Sequence, residues 1–356
     1  MSAPATSRDR EDREWAAGRA GSASRLACLA VLLGAALAGG AGASGCSHPK
    51  PKPQTAPPPP PPLIPPLTVK PLCAVETAAS IDKPPKDRTY PPQNWFVLLL
   101  HGYRSNSEMA RPVSDCTGAP VKTMFEGCNA GPIPESYPTA FGYDDLVVTQ
   151  LSDDRRLVWV LTERLQDGQW QGPVALVSIE PRGLAVRAIG VLRAYRRNVV
   201  MRLEKVGGST VLVADGQRCD DPNAAETCDR AVRVLPLAGD HFTSGPILDG
   251  YDRCLGSSLI PVRTRGQIGN SRGTKYELEA AVTFTGDAIL VRENLNLSRP
   301  PQPRGSRAPD DDSFVSRLQL ERAVTVRDGH LVTDGPSLLM KWMASRGSNA
   351  EPGGEK

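Results

Sequence analysis

Short segments that alternate hydrophobic and polar residues, and that are rich in β-branched side chains, make up most of the chain after residue 145. These segments cover 146–151, 156–165, 173–180, 184–195, 199–206, 210–215, 276–297 and 317–333. Alternation of this length predicts half-buried β-strands, because successive side chains of a strand point to opposite faces of a sheet. An apolar stripe at helical spacing occurs only near 337–343.

Turn residues join several of these strands at short range. Gly207-Gly208 and Asp328-Gly329 are two-residue turn signals, and Thr285-Gly286-Asp287 divides the segment 276–297. Tight turns of this kind connect antiparallel strands. The sequence therefore predicts an all-β fold, either an antiparallel sandwich or a curved, partly closed barrel-like sheet.

The boundaries of the folded part follow from composition. Residues 47–71 contain 12 of the 34 prolines, and such a run favours a semi-rigid polyproline spacer. We expect a disordered tether at 46–71 and a single β domain at 72–345. That domain has an irregular N-terminal part and a long loop at 299–312, and a disordered tail follows at 346–356.

The N-terminal segment 1–45 has the features of a signal peptide. An uncharged apolar stretch of 13 residues runs from Leu26 to Ala38, too short to span a bilayer, and small residues follow it. Ala43-Ser44-Gly45-Cys46 resembles the lipobox of bacterial lipoprotein precursors, in which the cysteine is lipidated and begins the mature chain. Alternatively, an ordinary signal peptidase cleaves after Ala43. Ser47 resembles the residue found in lipoproteins sent to the outer membrane.

The cysteine count favours the lipoprotein interpretation. Beyond the apolar stretch the chain has seven cysteines, and six remain to pair if Cys46 carries lipid. Six cysteines allow 15 connectivities. The most local connectivity joins Cys219 to Cys228 and Cys116 to Cys128, which leaves Cys73 to pair with Cys254.

The charged residues argue against nucleic-acid binding and indicate one candidate anion-binding surface. Lys plus Arg number 42 and Asp plus Glu number 39, so the net charge of +3 does not suggest a nucleic-acid partner. Positive residues nevertheless concentrate at 182–205. We expect five of them to form a candidate anion-binding face for phosphate or carboxylate groups, namely Arg187, Arg193, Arg196, Arg197 and Arg202.

Motifs for catalysis are weak. The segment LLLHGY at 98–103 predicts a strand that ends at His101, and it resembles the segment before the oxyanion hole of α/β-hydrolases. That family also requires a G-x-S-x-G elbow, which this sequence lacks. We assign no catalytic residue, no metal ligand and no cofactor, because the spacings for zinc, calcium and nucleotides are also missing.

These observations predict a bacterial cell-envelope lipoprotein whose β domain is a non-catalytic binding or docking module. Its expected partners are the membrane, through the lipid anchor, and either another envelope protein or an anionic or apolar ligand. Two alternatives stay open. One is a periplasmic carrier with a ligand cavity near Val199 and Met201, and the other is a secreted hydrolase that uses His101.

Overall fold

The computed structural model describes residues 70–76, 90–105, 109, 111–122, 128, 135–219, 228–268, 273–298 and 314–347. All of them belong to the compact unit Pro60–Lys356. The predicted signal peptide, Cys46, nearly all of the tether and the loop at 299–312 lie outside the described residues.

The fold is all-β, as the alternating pattern predicts. The strands are β1 (Cys73–Glu76), β2 (Ser136–Pro138), β3 (Leu146–Ser152), β4 (Arg155–Val160), β5 (Glu163–Leu165), β6 (Trp170–Glu180), β7 (Gly183–Ala194), β8 (Arg197–Val206), β9 (Ser209–Arg218), β10 (Asp229–Ala238), β11 (His241–Phe242), β12 (Pro246–Leu248), β13 (Cys254–Ser257), β14 (Leu259–Ile268), β15 (Thr274–Phe284), β16 (Ile289–Ser298), β17 (Phe314–Arg327) and β18 (His330–Thr333). The helices are α1 (Pro92–Leu99) and α2 (Leu338–Gly347).

The strands form one large mixed sheet that does not close into a barrel. Its first segment has the order β3–β4–β6–β7–β1, with β5 beside β6 and β2 beside β5. Its second segment has the order β8–β9–β10–β14–β15–β16–β17–β18–β12–β13. Strand β11 links the segments, because it pairs with both β7 and β10. Among the described pairs of strands, only β7–β11 and β12–β18 are parallel, and an isolated parallel bridge also joins Val206 to Gly286.

The two segments pack face to face through β4, β6 and β7 of the first and β8, β9 and β10 of the second. Trp159 of β4 points into this core, whereas its neighbours Val158 and Val160 point to the opposite face, where α1 covers them. Strands β4, β6 and β7 are therefore buried on both sides. A third cluster joins strands of the second segment, with buried residues from β9, β10, β14, β16, β17 and β18 among others.

The hairpin turns have the geometry that their residues predict. Gly207 and Gly208 have φ values of 56° and 81°, and Asp328 and Gly329 have φ values of 51° and 77°. Two consecutive positive φ angles match the twist of the flanking strands, and glycine adopts them without steric cost.

The apolar run before His101 is a helix, and the predicted strand is wrong. Pro92 occupies the first turn of α1, where the fixed φ of proline favours a helix and its missing N–H costs nothing. Phe96, Leu98 and Leu99 are buried against the first segment of the sheet. A short, uniformly apolar run carries no periodicity, so the sequence does not distinguish a buried strand from a buried helix.

Helix α2 confirms the helical stripe near 337–343, and a buried ion pair holds its first turn. The Glu293 carboxylate lies 3.3 Å from Nη2 of Arg322, and its other oxygen accepts the backbone N–H of Leu338 at 2.7 Å. The Glu293 side chain is 0% exposed and that of Arg322 is 6% exposed. Trp342 packs beside them against β15 and β16.

Candidate functional site

Two arginines stack on a tryptophan at one end of the sandwich. Hydrogen-bond register places Arg164 of β5 opposite Trp170, the first residue of β6, and Trp170 opposite Ala194 of β7. Arg196 follows Ala194 by two residues. The guanidinium carbons lie 6.0 Å (Arg164) and 5.2 Å (Arg196) from the centroid of the indole ring. Both distances are typical of cation–π contacts. We call Arg164, Trp170 and Arg196 the arginine–tryptophan cluster.

The two guanidinium groups of this cluster keep most of their hydrogen-bonding capacity. Nη2 of Arg196 lies 3.5 Å from Oδ1 of Asp144, whose side chain is 95% exposed, so water and salt screen the pair. Arg164 is exposed, and its guanidinium makes no hydrogen bond or ion pair with any residue that the structure describes. Each guanidinium carries five N–H donors in a planar fork. The cluster can therefore donate several hydrogen bonds to a phosphate or carboxylate.

Acidic side chains pair with two other arginines at the same end, Arg193 and Arg218. Nη2 of Arg193 contacts Oδ2 of Asp167 at 2.5 Å, and Arg193 is nearly buried. Nη2 of Arg218 contacts Oδ2 of Asp229 at 2.5 Å, and its Nη1 donates to the backbone oxygen of Asp167 at 3.1 Å. These pairs fix the strands that present the arginine–tryptophan cluster.

A fully buried arginine ties this end of the first segment to the second. Nε of Arg233 in β10 donates to the backbone oxygen of Arg193 at 2.8 Å. Its other nitrogens donate to Oγ of Ser258 at 2.9 Å and to Oε1 of Gln169 at 3.3 Å. We assign Arg233 a structural role, because it is 2% exposed and its described bonds join β10 to β7, to the turn before β6 and to the residue before β14.

The structure divides the predicted anion-binding face. It brings Arg193, Arg196 and Arg197 to one end of the molecule, where Arg197 lies opposite Gln217. Arg187 is remote from them in β7 and pairs with Glu180, and its side chain is 11% exposed. Arg202 contacts Glu204 at 2.7 Å and lies over the ring of Phe284.

The sequence analysis missed Arg164 and Trp170, although a signal was available. Asp167-Gly168 is a turn signal between them, and Gly168 has a φ of 80°. A hairpin around this turn puts Arg164 opposite Trp170. Arg164 lies outside the basic stretch at 182–205, so the local density of charge does not distinguish it.

All six predicted cysteines form disulfides, but two of the three expected pairings are wrong. Cys219 pairs with Cys228, as expected. Cys73 pairs with Cys116 and Cys128 pairs with Cys254, so the irregular N-terminal part is joined within itself and also to the second segment of the sheet. Proximity in sequence does not predict the partners. Cys73 of β1 and Cys116 both pack against the buried cluster that α1 helps to form, so the fold brings them together although 43 residues separate them.

His101 lies in the turn after α1 and its side chain is exposed. Its backbone N–H donates to the oxygen of Ser114 at 3.1 Å. Its imidazole makes no hydrogen bond with any residue that the structure describes. The geometry therefore brings no nucleophile or acid to His101 from the described part of the chain.

Comparisons with models of protein families, with curated proteins and with solved structures find no significant match. The class of the protein therefore follows from its own features: a mostly β protein with three disulfides, compatible with export. Within the described part of the chain, no helix has the length and apolar character needed to cross a membrane.

Proposed function

We propose that the protein is a lipoprotein of the bacterial cell envelope whose β domain docks onto phosphate-bearing components of that envelope. Cys46 would carry the lipid, and the proline-rich segment 46–71 would hold the domain away from the membrane. Three disulfides support export, since disulfides persist in oxidising compartments.

The observation that carries the docking proposal is the arginine–tryptophan cluster. Stacking on the rigid indole orients both guanidinium groups before a ligand arrives, which lowers the entropy cost of binding. Arginine binds phosphate through two parallel N–H donors. Asp167 and Asp229 are already paired with Arg193 and Arg218, and the side chain of Asp144 is exposed to solvent.

The two alternatives have less support. Met201 is 1% exposed and packs with Val199 in the core between the two sheet segments, so protein atoms fill the place where a carrier would need a cavity. His101 has no described partner that would activate it. We therefore favour the docking module.

Vesicle co-sedimentation tests the proposal with the full exported chain carrying Cys46→Ser, which removes any contribution from a lipid anchor. We expect binding to phosphatidylglycerol vesicles, no binding to phosphatidylcholine vesicles, and weaker binding as salt rises. A basic residue at an anionic surface contributes about 1 kcal/mol, which is about fivefold in affinity. Arg164→Gln together with Arg196→Gln should therefore weaken binding about 25-fold.

The matched control changes two exposed arginines outside the cluster, Arg182→Gln and Arg317→Gln, and should weaken binding much less. An equal loss in both variants would mean general electrostatic attraction and would overturn the proposed site. Competition by inorganic phosphate identifies the source of the ligand group. Displacement by millimolar phosphate points to a free phosphate site, whereas persistence of binding points to a lipid headgroup.

A further inference from the structure

The register of three strands places the two arginines of the arginine–tryptophan cluster on either side of the indole. Trp170 lies in β6, between β5, which carries Arg164, and β7, which ends at Ala194. Residues directly opposite each other in antiparallel strands point to the same face of a sheet. Arg164 therefore approaches the ring from the β5 side, and Arg196, two residues beyond Ala194, approaches it from the β7 side.

This arrangement sets the distance between the two guanidinium groups. Their carbons lie 6.0 Å and 5.2 Å from the centroid of the ring. On opposite sides of the ring they are about 8–11 Å from each other, which is the span expected for side chains that flank a strand on both sides. The indole fills the space between them, so the two groups cannot close onto each other. Both faces of the ring are also occupied, which leaves no face on which an aromatic ligand could stack.

One phosphate group is too small to bind both arginines across this span. The carbon of a guanidinium lies about 4 Å from the phosphorus of a phosphate that accepts two of its N–H donors. A single phosphate therefore bridges two guanidinium groups only when their carbons lie within about 8 Å and the space between them is open. Here the indole of Trp170 occupies that space. The span instead fits two phosphate groups, one on each arginine.

Nearby acidic groups leave both arginines available to a ligand. Asp144, which lies 3.5 Å from Arg196, is 95% exposed, so water screens this pair and a phosphate can replace the carboxylate. Asp167 is held by Arg193 at 2.5 Å. In the described part of the chain, the guanidinium of Arg164 has no carboxylate partner. Each arginine can therefore bind a phosphate through its own fork of N–H donors.

We propose that the arginine–tryptophan cluster selects a ligand with two phosphate groups roughly 10 Å apart on one scaffold, as in a sugar phosphorylated at both ends. This inference rests on the phosphate docking proposed above and specifies its ligand. Arg164 binds one phosphate, Arg196 binds the other, and Trp170 keeps the two arginines apart. Because of this spacing, a diphosphate, whose phosphorus atoms share one bridging oxygen, is too short to contact both arginines.

Isothermal titration of the full exported chain carrying Cys46→Ser tests the spacing with three soluble probes. These are fructose 1,6-bisphosphate, fructose 6-phosphate and pyrophosphate. The bisphosphate makes a second charge-assisted contact, so we expect it to bind at least about tenfold more tightly than the monophosphate. Pyrophosphate concentrates its charge on a shorter span and should bind at least about fivefold more weakly than the bisphosphate.

The single variants Arg164→Gln and Arg196→Gln each remove one of the two contacts. Each should bind the bisphosphate about as weakly as the unmodified cluster binds the monophosphate. Monophosphate binding needs only one arginine, so it should change by less than about threefold. The control variant, Arg182→Gln with Arg317→Gln, alters exposed positions outside the cluster and should keep the full preference.

Absence of bisphosphate binding at about 10 mM, equal affinity for the monophosphate, tighter binding of pyrophosphate, or a preference retained in both single variants would each overturn the inference. The docking proposal survives these outcomes if phosphatidylglycerol vesicles still bind through the cluster, and it fails by itself if they do not. Phosphatidylcholine vesicles doped with lipid A, whose disaccharide headgroup carries two phosphates, identify the source of the ligand. Tighter binding to these vesicles than to the free sugar bisphosphate assigns a lipid headgroup, and weaker binding assigns a soluble sugar.

Discussion

Replacing Glu293 by Gln removes the negative charge from a carboxylate that is fully buried beside Arg322. The amide oxygen of glutamine can still accept the N–H of Leu338, so the substitution isolates the ion pair from the contact with helix α2. The guanidinium of Arg322 is then left charged in a site that is 6% exposed. Removal of one partner of such a pair costs about 3–5 kcal/mol of folding free energy.

The opposite single change, Arg322→Met, leaves the carboxylate charged and buried, so it should cost a similar amount. The double variant Glu293→Gln with Arg322→Met buries no charge and keeps the acceptor for Leu338. Because replacing a buried ion pair by uncharged groups is often nearly neutral, we expect the double variant to lose less than about 2 kcal/mol. The two single losses would sum to about 6–10 kcal/mol, so the coupling energy is at least about 4 kcal/mol.

Urea unfolding of the oxidised chain measures these free energies, with tryptophan fluorescence as the signal. Trp342 packs in one cluster with Leu338, whose backbone N–H donates to Glu293, and so reports on this region. Arg292 and Glu321 form an exposed pair between the same two strands, and the corresponding double-mutant cycle there should give less than about 1 kcal/mol. Additive losses in the Glu293 and Arg322 variants would refute the reasoning.

Three further predictions concern stability. Gly172→Ala puts a Cβ atom 1.8 Å from a backbone oxygen of β4 and should lower the free energy of unfolding by about 3 kcal/mol. In the control variant Gly245→Ala the new Cβ meets no atom within 4 Å, so the loss should be far smaller, and equal urea midpoints for the two variants would contradict this. Burial opposes the charged form of Asp249, but hydrogen bonds from two backbone N–H groups and the guanidinium of Arg253 outweigh burial and lower the pKa of this carboxyl. The ionised carboxylate therefore stabilises the fold above about pH 4, and this stabilisation is lost as pH falls through the lowered pKa. Asp249→Asn should therefore lower the urea midpoint at neutral pH, and its effect should shrink as pH falls below about 4; a loss independent of pH would exclude this cause. Removal of the Cys128–Cys254 bridge, which closes a loop of 126 residues, should cost about 5 kcal/mol by chain entropy, and a loss below about 1 kcal/mol would contradict that account.

The sequence predicts the strands well where alternation and turn chemistry agree. The Gly207-Gly208 hairpin and the strands on either side of it are examples, because both signals are local. The sequence does not predict helix α1, because its apolar run shows neither helical nor strand periodicity. The helix is also buried against strands that come later in the chain.

The candidate sites were harder to predict, since they depend on pairing between strands. Trp170 meets Arg164 through a local turn, but it meets Arg196 only because β6 pairs with β7. Rows of side chains likewise depend on the register of several strands: Arg265 of β14, Glu277 of β15 and Asn296 of β16 share a row although 31 residues separate the first from the last. Hydrophobic periodicity predicts the face of the sheet to which a side chain points. It does not predict which residues of neighbouring strands lie beside that side chain.

The pattern of disulfides has a consequence for how the chain becomes oxidised. In a chain that emerges from its N-terminus into an oxidising compartment, cysteines meet an oxidant in sequence order. Joining consecutive cysteines would pair Cys73 with Cys116 correctly, but it would then pair Cys128 with Cys219, because Cys254 emerges last. Maturation therefore requires either that Cys128 stays reduced until the second sheet segment has emerged, or that a thiol–disulfide isomerase corrects the misjoined pair.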